Sequence, residues 1–292
     1  MAKYKYVIYE KEGNIARVTM NRPEKLNVYQ FIGRGADAKE FYEALEEAAV
    51  DDDVKVVILK GAGRAFSVGH DLTKVGFVYG FGTGKPGERR PSQRVRLLYD
   101  RWAMEDWINK IFLHPKITVA QIHGYCIGGG LLIATLCDLA VCADDSTLGH
   151  TEQRMGFAGS GIPNMNVLIA TVGLKRAMDL LLTGRMIDGK EAERMGLVNK
   201  SVPADKLAEE VDRMAKAMCL MPRDGIAIGK ASRHLAYDSM GLTAGVAQGY
   251  YSHTMFTNLR WEEDEYNFFK ERRDKSAKTG FHGRDDRYSG LV

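Results

Sequence analysis

The chain has 292 residues, of which 45% are hydrophobic and 27% charged, with 41 Lys and Arg set against 38 Asp and Glu. That balance belongs to a soluble globular protein and excludes disordered and collagen-like chains. A net charge of +3 gives no concentrated basic face for nucleic acid, and no apolar run reaches the roughly 18 residues that a membrane span needs.

Residues 4–9 (YKYVIY) and 15–20 (IARVTM) are β-rich runs divided by Lys11-Glu12-Gly13-Asn14, a turn-forming cluster that predicts an antiparallel hairpin. The chain enters this pattern with no charged-then-apolar leader, so a cytoplasmic protein is expected. Residues 36–49 carry Phe41, Leu45, Ala48 and Ala49 at helical spacing, and 54–59 (VKVVIL) read as a buried strand. Residues 77–91 (FVYGFGTGKPGERRP) lack periodicity and read as a long loop, followed by a helical stretch over 92–112. Then come a strand over 117–123 (ITVAQIH), an apolar helix over 129–137, a strand over 139–143 and a helix over 167–182. Beyond Pro203 helical periodicity dominates, including 262–273. The alternation predicts an α/β layered core over residues 1–203, with an insert at about 77–112, and a helical region over 204–292 packed on the core or on a neighbouring subunit.

Cys126, Cys137, Cys142 and Cys219 lie in apolar stretches without C-x-x-C spacing and are expected to be buried, reduced thiols. No His, Cys and Asp cluster has metal-ligand spacing, so neither a metal nor a redox cofactor is expected. The basic cluster Lys85, Arg89, Arg90, Arg94 and Arg96 fits either a phosphate-bearing ligand or a solvated helix face. Tyr99, Trp102 and Trp107 fit either an acyl pocket or the packed face of an amphipathic helix.

Two glycine segments follow predicted strands: Gly61 to Leu72 (GAGRAFSVGHDL), and His123-Gly124-Tyr125-Cys126-Ile127-Gly128-Gly129-Gly130. Glycine lets a ligand approach the main chain, and a helix start leaves N–H groups unpaired. Two such donors converging from separate strand ends would hold the oxygen of a polarised carbonyl. Spacing alone leaves a purely structural turn open, and neither segment has a nucleotide-binding glycine pattern.

In chain order, Asn21-Arg22-Pro23-Glu24-Lys25-Leu26-Asn27, Ala65 to Leu72, His123-Gly124-Tyr125 with Gly128-Gly129-Gly130, Cys137-Asp138, and Leu182-Thr183-Gly184 through Ala192, Gly196, Leu197 and Val198 closely resemble the crotonase (enoyl-CoA hydratase/isomerase) superfamily. The resemblance covers about residues 4–275. It implies a spiral of ββα units followed by a helical trimerisation region, assembled as a homotrimer or a hexamer. It also implies an acyl-CoA thioester substrate, with coenzyme A entering only as part of that substrate, and an oxyanion hole formed by the main-chain N–H groups of His70 and Gly129. Contacts to substrate and CoA are implied at Lys25, Leu26, Asn27, Ser67, Val68, Asp71, Leu72 and Leu132. Lys270 and Arg273, on the closing helix, match cations that lie near a CoA phosphate from a neighbouring subunit.

The resemblance also assigns the proton chemistry. Hydratases of this family carry one glutamate two positions after the glycine triplet and another twenty residues further on; here these positions hold Leu132 and Glu152. Read by spacing alone, Glu152 is a surface acid, whereas its family position makes it the general acid/base. Work near neutral pH calls for burial of the carboxyl, to which Met155 and Phe157 would contribute. Ser160 stands where dienoyl isomerases and a dehalogenase branch carry an aspartate, so neither branch is supported. His70 and His150 are expected to act through the backbone and structurally, respectively, and Asp138 to be structural. The function expected is double-bond isomerisation or water addition and elimination on an enoyl-CoA. The alternatives are a hydrolase or carbon–carbon lyase on a bulky or cyclic acyl-CoA, and a non-catalytic acyl-CoA-binding protein.

Overall fold

The computed structural model describes residues 3–31, 34–72, 87, 90–157, 162 and 164–292. Strands β1 (Val7–Glu12) and β2 (Ile15–Met20) pair antiparallel with Glu12 opposite Ile15. The turn is therefore only Gly13-Asn14. Lys11 and Glu12, expected within it, extend the strand instead, because their exposed side chains stay solvated while their backbones gain ladder bonds.

After α1 (Ala36–Val50), successive strands are dealt alternately to two sheets. β3 (Val56–Gly61), β5 (Ile117–Ile122), β7 (Leu139–Ala143) and β10 (Lys200–Val202) join the hairpin in a six-stranded sheet of order β1-β2-β3-β5-β7-β10, parallel beyond β2. β4 (Ala65–Ser67), β6 (Tyr125–Ile127), β8 (Thr147–Gly149) and β9 (Met186–Asp188) form the four-stranded sheet. The pairs β3–β4, β5–β6 and β7–β8 are each followed by a helix: α2 (Gln93–Trp107), α3 (Gly129–Leu136) and α4 (Met165–Val172). That repeat is the ββα spiral.

The large sheet is buried on both faces, which is why its strands read as continuous apolar runs. Val57 and Leu59 face a core shared with α1, α3 and Phe66, while Val56 and Ile58 face Val211 and Ala215 of a helix in the C-terminal region. Two helical expectations are corrected. Residues 167–182 are not one helix: α4 ends and α5 (Leu174–Thr183) begins at Gly173, whose φ of +83° no right-handed helix contains. Following α6 (Gly189–Met195), α7 (Leu207–Cys219), α8 (Arg223–Ser239) and α9 (Gly245–Phe256), the periodicity expected from 262 becomes helical only in α10 (Phe268–Asp274). The Asn267 side chain caps α10 by accepting from Lys270 N at 3.0 Å. The last helix is α11 (Ala277–Asp286).

All four cysteines are free; Cys126 and Cys142 are buried, Cys137 and Cys219 half-buried, and burial pushes the Cys142 thiol up to about 11. Among the described residues no helix is long and apolar enough to cross a membrane, and no group of three or more His, Cys, Asp or Glu could hold a metal ion.

Candidate active site

The first glycine turn is fixed by a zipper between two loops. Leu26 and Asn27 both take left-handed backbone angles, φ 55° at each. This strained corner lets Leu26 O accept from Val68 N at 3.1 Å. Asn27 is fully buried, and its side chain substitutes for a missing peptide unit: Nδ2 donates to Ala62 O, Ala65 O and Phe66 O, while Oδ1 accepts from Arg22 N. Ser67 Oγ donates to Asn27 O at 2.7 Å and accepts from Gly69 N at 3.0 Å. Tyr29 then bridges His70, donating to Gly69 O and accepting from Asp71 N. These bonds use the groups on either side of His70 and, among the described residues, leave its own N–H without an acceptor.

The second turn comes from the neighbouring strand. Gly128, at φ +56°, donates to Gly149 O at 2.9 Å, and Gly129 opens α3, where N–H groups have no acceptor within the helix. Gly69 and Gly129 touch backbone to backbone: a Cβ placed on Gly129 would lie 3.1 Å from Gly69 Cα and 3.5 Å from His70 N. A Cβ is roughly 2.5 Å from its own nitrogen, so the His70 and Gly129 nitrogens lie within about 6 Å and can share one oxygen at ~2.7–3.1 Å from each.

Glu152 begins the short 3-10 turn Glu152–Met155 after β8. Its carboxylate rests on the same glycine turn, since a Cβ on Gly128 would meet Glu152 Oε1 at 2.5 Å. His150 Nδ1 lies 3.2 Å from both Glu152 Oε2 and Gln153 Oε1, but only the glutamine contact is aligned as a hydrogen bond. Among the described residues Glu152 Oε2 is therefore buried without a hydrogen-bond partner. Met155 and Phe157 belong to an apolar cluster with Phe268 and Phe269 of α10, against which Leu72 packs. The C-terminal helices thus cover the segment that carries the carboxylate.

A profile of the enoyl-CoA hydratase/isomerase family matches residues 10–279. The chain belongs to that family. A hydroxycinnamoyl-CoA hydratase-lyase of Pseudomonas fluorescens is 32% identical over 73% of this chain and 72% of its own. An enoyl-CoA hydratase structure from Mycobacterium smegmatis covers 98% of this chain and 94% of its own, with a TM-score of 0.80 at 26% identity. An enoyl-CoA hydratase/isomerase from Xanthobacter autotrophicus Py2 covers 98% and 99%, with a TM-score of 0.78 at 26% identity. The protein is therefore an acyl-CoA enzyme with the crotonase fold, and the non-catalytic alternative is set aside.

The remaining positions taken from the family pattern fall in different places. Lys25 is exposed at the end of the 3-10 turn Pro23–Lys25. Asp71 faces the Arg22 guanidinium at 3.9 Å, and Arg22 also pairs with Asp37. Leu132 is buried in the main core. Lys270 and Arg273 lie on the exposed face of α10, with Arg273 held by Asp274; the half-buried cation of that helix is Arg272, which lies in the field of Asp71. Trp107 packs on Phe31 in the core at 5.2 Å, while Trp102 stacks under Arg34 at the surface. Asp138 accepts from Thr118 and pairs with buried Lys230 at 2.6 Å, a structural arrangement. Lys85, Arg89 and Ser160 lie outside the described residues.

Burial, reinforced by the charges of His253 and Arg96, pushes the His70 imidazole down to about 3, so the ring is neutral at working pH. The sequence reading gave no role to His253 or Asp100, and placed Arg96 only in a basic run. Arg96 and Asp100 lie four residues apart on α2, a spacing that could have marked them as a helical ion pair.

Proposed function

We propose that the enzyme holds an enoyl-CoA thioester with its carbonyl oxygen between the N–H groups of His70 and Gly129, and that Glu152 moves a proton on the enolate this stabilises. One observation carries the reading: the Glu152 carboxylate lies against the Gly128 turn with Oε2 buried and, among the described residues, without a hydrogen-bond partner. A proton carrier has to sit beside the oxyanion donors with a lone pair not already engaged. For isomerisation Glu152 takes a proton from one carbon and returns it to another, with no net change. For hydration a water oxygen adds to the β-carbon while the α-carbon gains a proton. Lys25, Leu26, Asn27, Ser67, Val68, Asp71 and Leu72 border the thioester and CoA in this reading, and the enzyme works as a cytoplasmic homotrimer or hexamer.

A second reading, a hydrolase or carbon–carbon lyase on a bulky or cyclic acyl-CoA, is supported by Leu132. An apolar, core-packed side chain there leaves Glu152 without the second carboxylate that the family's hydratases use to hold water. The relative named as a hydratase-lyase points the same way. Wild type and Glu152→Gln, incubated with linear and aromatic enoyl-CoAs and followed by mass, separate the readings. An isomer or a gain of water, slowed at least ~100-fold in the variant, supports the first; free CoA or a shortened thioester supports the second. Unchanged turnover in Glu152→Gln removes Glu152 from both.

A further inference from the structure

One buried polar cluster beside the site has no part in the chemistry above. It lies between α2 and α9. Arg96 and Asp100 are 4% and 0% exposed and pair at 2.9 Å through Nη2 and Oδ1. From α9, His253 Nδ1 stands 2.9 Å from Arg96 Nη2 and 3.2 Å from Asp100 Oδ2, and Thr254 Oγ1 donates to Asp100 Oδ2 at 2.8 Å.

Despite this company, two polar atoms of the pair have no hydrogen-bond partner among the described residues: Arg96 Nε and Asp100 Oδ1. The contact between Nη2 and Oδ1 is close but not aligned as a hydrogen bond. Buried polar atoms are paired almost without exception, and an unpaired charged one is the most costly kind. A purely structural pair would gain little over apolar side chains of the same size. The pair therefore presents one donor and one acceptor for something else to fill.

Its position says what. The His70 side chain, one residue beyond the first oxyanion glycine, lies in the field of Arg96, Asp100 and His253, and its own Nδ1 is buried without a hydrogen-bond partner among the described residues. Phe157, whose N–H reaches Glu152 O at 3.4 Å, packs its ring on His253 with centroids 5.6 Å apart. The cluster thus adjoins both the donor side and the carboxylate side of the site, where the acyl group has to run.

We propose that Arg96 and Asp100 form a polar subsite of the acyl pocket that recognises a hydroxyl on the acyl group, whose oxygen accepts from Arg96 Nε–H and whose hydrogen is donated to Asp100 Oδ1. A hydroxyl is the smallest group that meets both needs. A carboxylate would face Asp100, a cation would face Arg96, and a hydrocarbon would leave both atoms unpaired. The assignment rests on the acyl-CoA reading of the site.

The test is kcat/KM on matched thioesters: cinnamoyl-CoA against its 3-hydroxy and 4-hydroxy forms, and hex-2-enoyl-CoA against 6-hydroxyhex-2-enoyl-CoA. The wild type is expected to favour at least one hydroxylated member by ~100-fold or more, as sites built to bond a hydroxyl do. In Arg96→Met/Asp100→Leu that ratio falls to within about 3-fold. Should the double variant not fold, Arg96→Lys, which keeps the charge but loses Nε–H, must show the same fall. No hydroxyl preference in any pair overturns the proposal, and so does a preference that survives in the variants. Because the readout is a ratio between substrates, it does not depend on which residue moves the proton. Failure of Glu152 as proton carrier would appear separately, as full turnover in Glu152→Gln.

Discussion

Replacing Gly69 by alanine tests whether two touching main chains set the oxyanion donors. Gly69 has φ +84°, where an L-residue costs on the order of 1–2 kcal/mol. The new Cβ would overlap the Gly129 nitrogen and lie 2.9 Å from Gly129 Cα and 3.0 Å from Ile127 O, where ordinary contact begins at 3.4 Å. All three neighbours are backbone atoms, so no side chain can turn aside, and the strand ends must part by about half an ångström or more (3.4 less 2.9). Losing one donor of such a hole costs roughly 100- to 1,000-fold in kcat, or about 2.7–4 kcal/mol. Gly196→Ala is the matched control: its φ is +82°, but the nearest atom to a new Cβ is Thr171 O at 3.7 Å. The assay is kcat on an enoyl-CoA that the wild type turns over, with urea unfolding of both variants alongside. Both are expected to lose stability, and only Gly69→Ala to lose at least ~100-fold in kcat. Equal kcat in the two folded variants would refute the reasoning.

Asn27→Ala removes three donated bonds and one accepted bond at a buried site, and should cost roughly 2–4 kcal/mol in denaturant unfolding; a loss below ~1 kcal/mol would mean the loops hold without it. Lys230→Ala strands the Asp138 carboxylate in the interior, for an expected loss of about 3 kcal/mol, read as a lower denaturation midpoint at unchanged slope. His70 is held at about 3 against 6.5 for a free imidazole. The unfolded chain therefore takes up the proton first, and this contribution is complete above about pH 6.5 and lost as pH falls toward 3. Stability measured between pH 6 and pH 4 should fall less steeply in His70→Gln, by up to ~1.4 kcal/mol per pH unit, and parallel curves would contradict the assignment. Burial raises the Cys126, Cys137 and Cys142 thiols, so a thiol reagent at pH 8 should modify them only on the timescale of unfolding; fast labelling of the native protein would show that they are accessible.

What the sequence disclosed follows from how local its signals were. β7 was read at its observed bounds because a strand covered on both faces has to be apolar throughout. The α4–α5 break went unread because helical spacing continues on both sides of Gly173, and only its backbone angle interrupts the pattern. Lys11 and Glu12 were put in the turn by composition, although strand edges tolerate exposed charge equally well. At the site, the glycine turns and Glu152 were legible as ordered motifs whose spacing reflects successive turns of the spiral. Asn27 was marked as a ligand contact through the backbone, and the sequence did not disclose that its side chain braces the loop. His253 could not be found, since its partner Arg96 is 157 residues away and nothing local to α9 advertises the meeting. Lys270 and Arg273 were taken from the resemblance to the family's closing helix; the phase of α10, set by buried Phe268 and Phe269, places both at the surface.

The parallel pairing of β4 with β6 matches Ser67 to Cys126, and just beyond the two strand ends the Gly69 and Gly129 main chains touch. In the proposed reading the gap between the two donors is then set by main chain resting on main chain rather than tuned by side chains. The gauge comes from peptide geometry, so substitutions around it can open the hole or block it but have little means of resizing it. Diversification of such an enzyme is left to whatever meets the rest of the substrate.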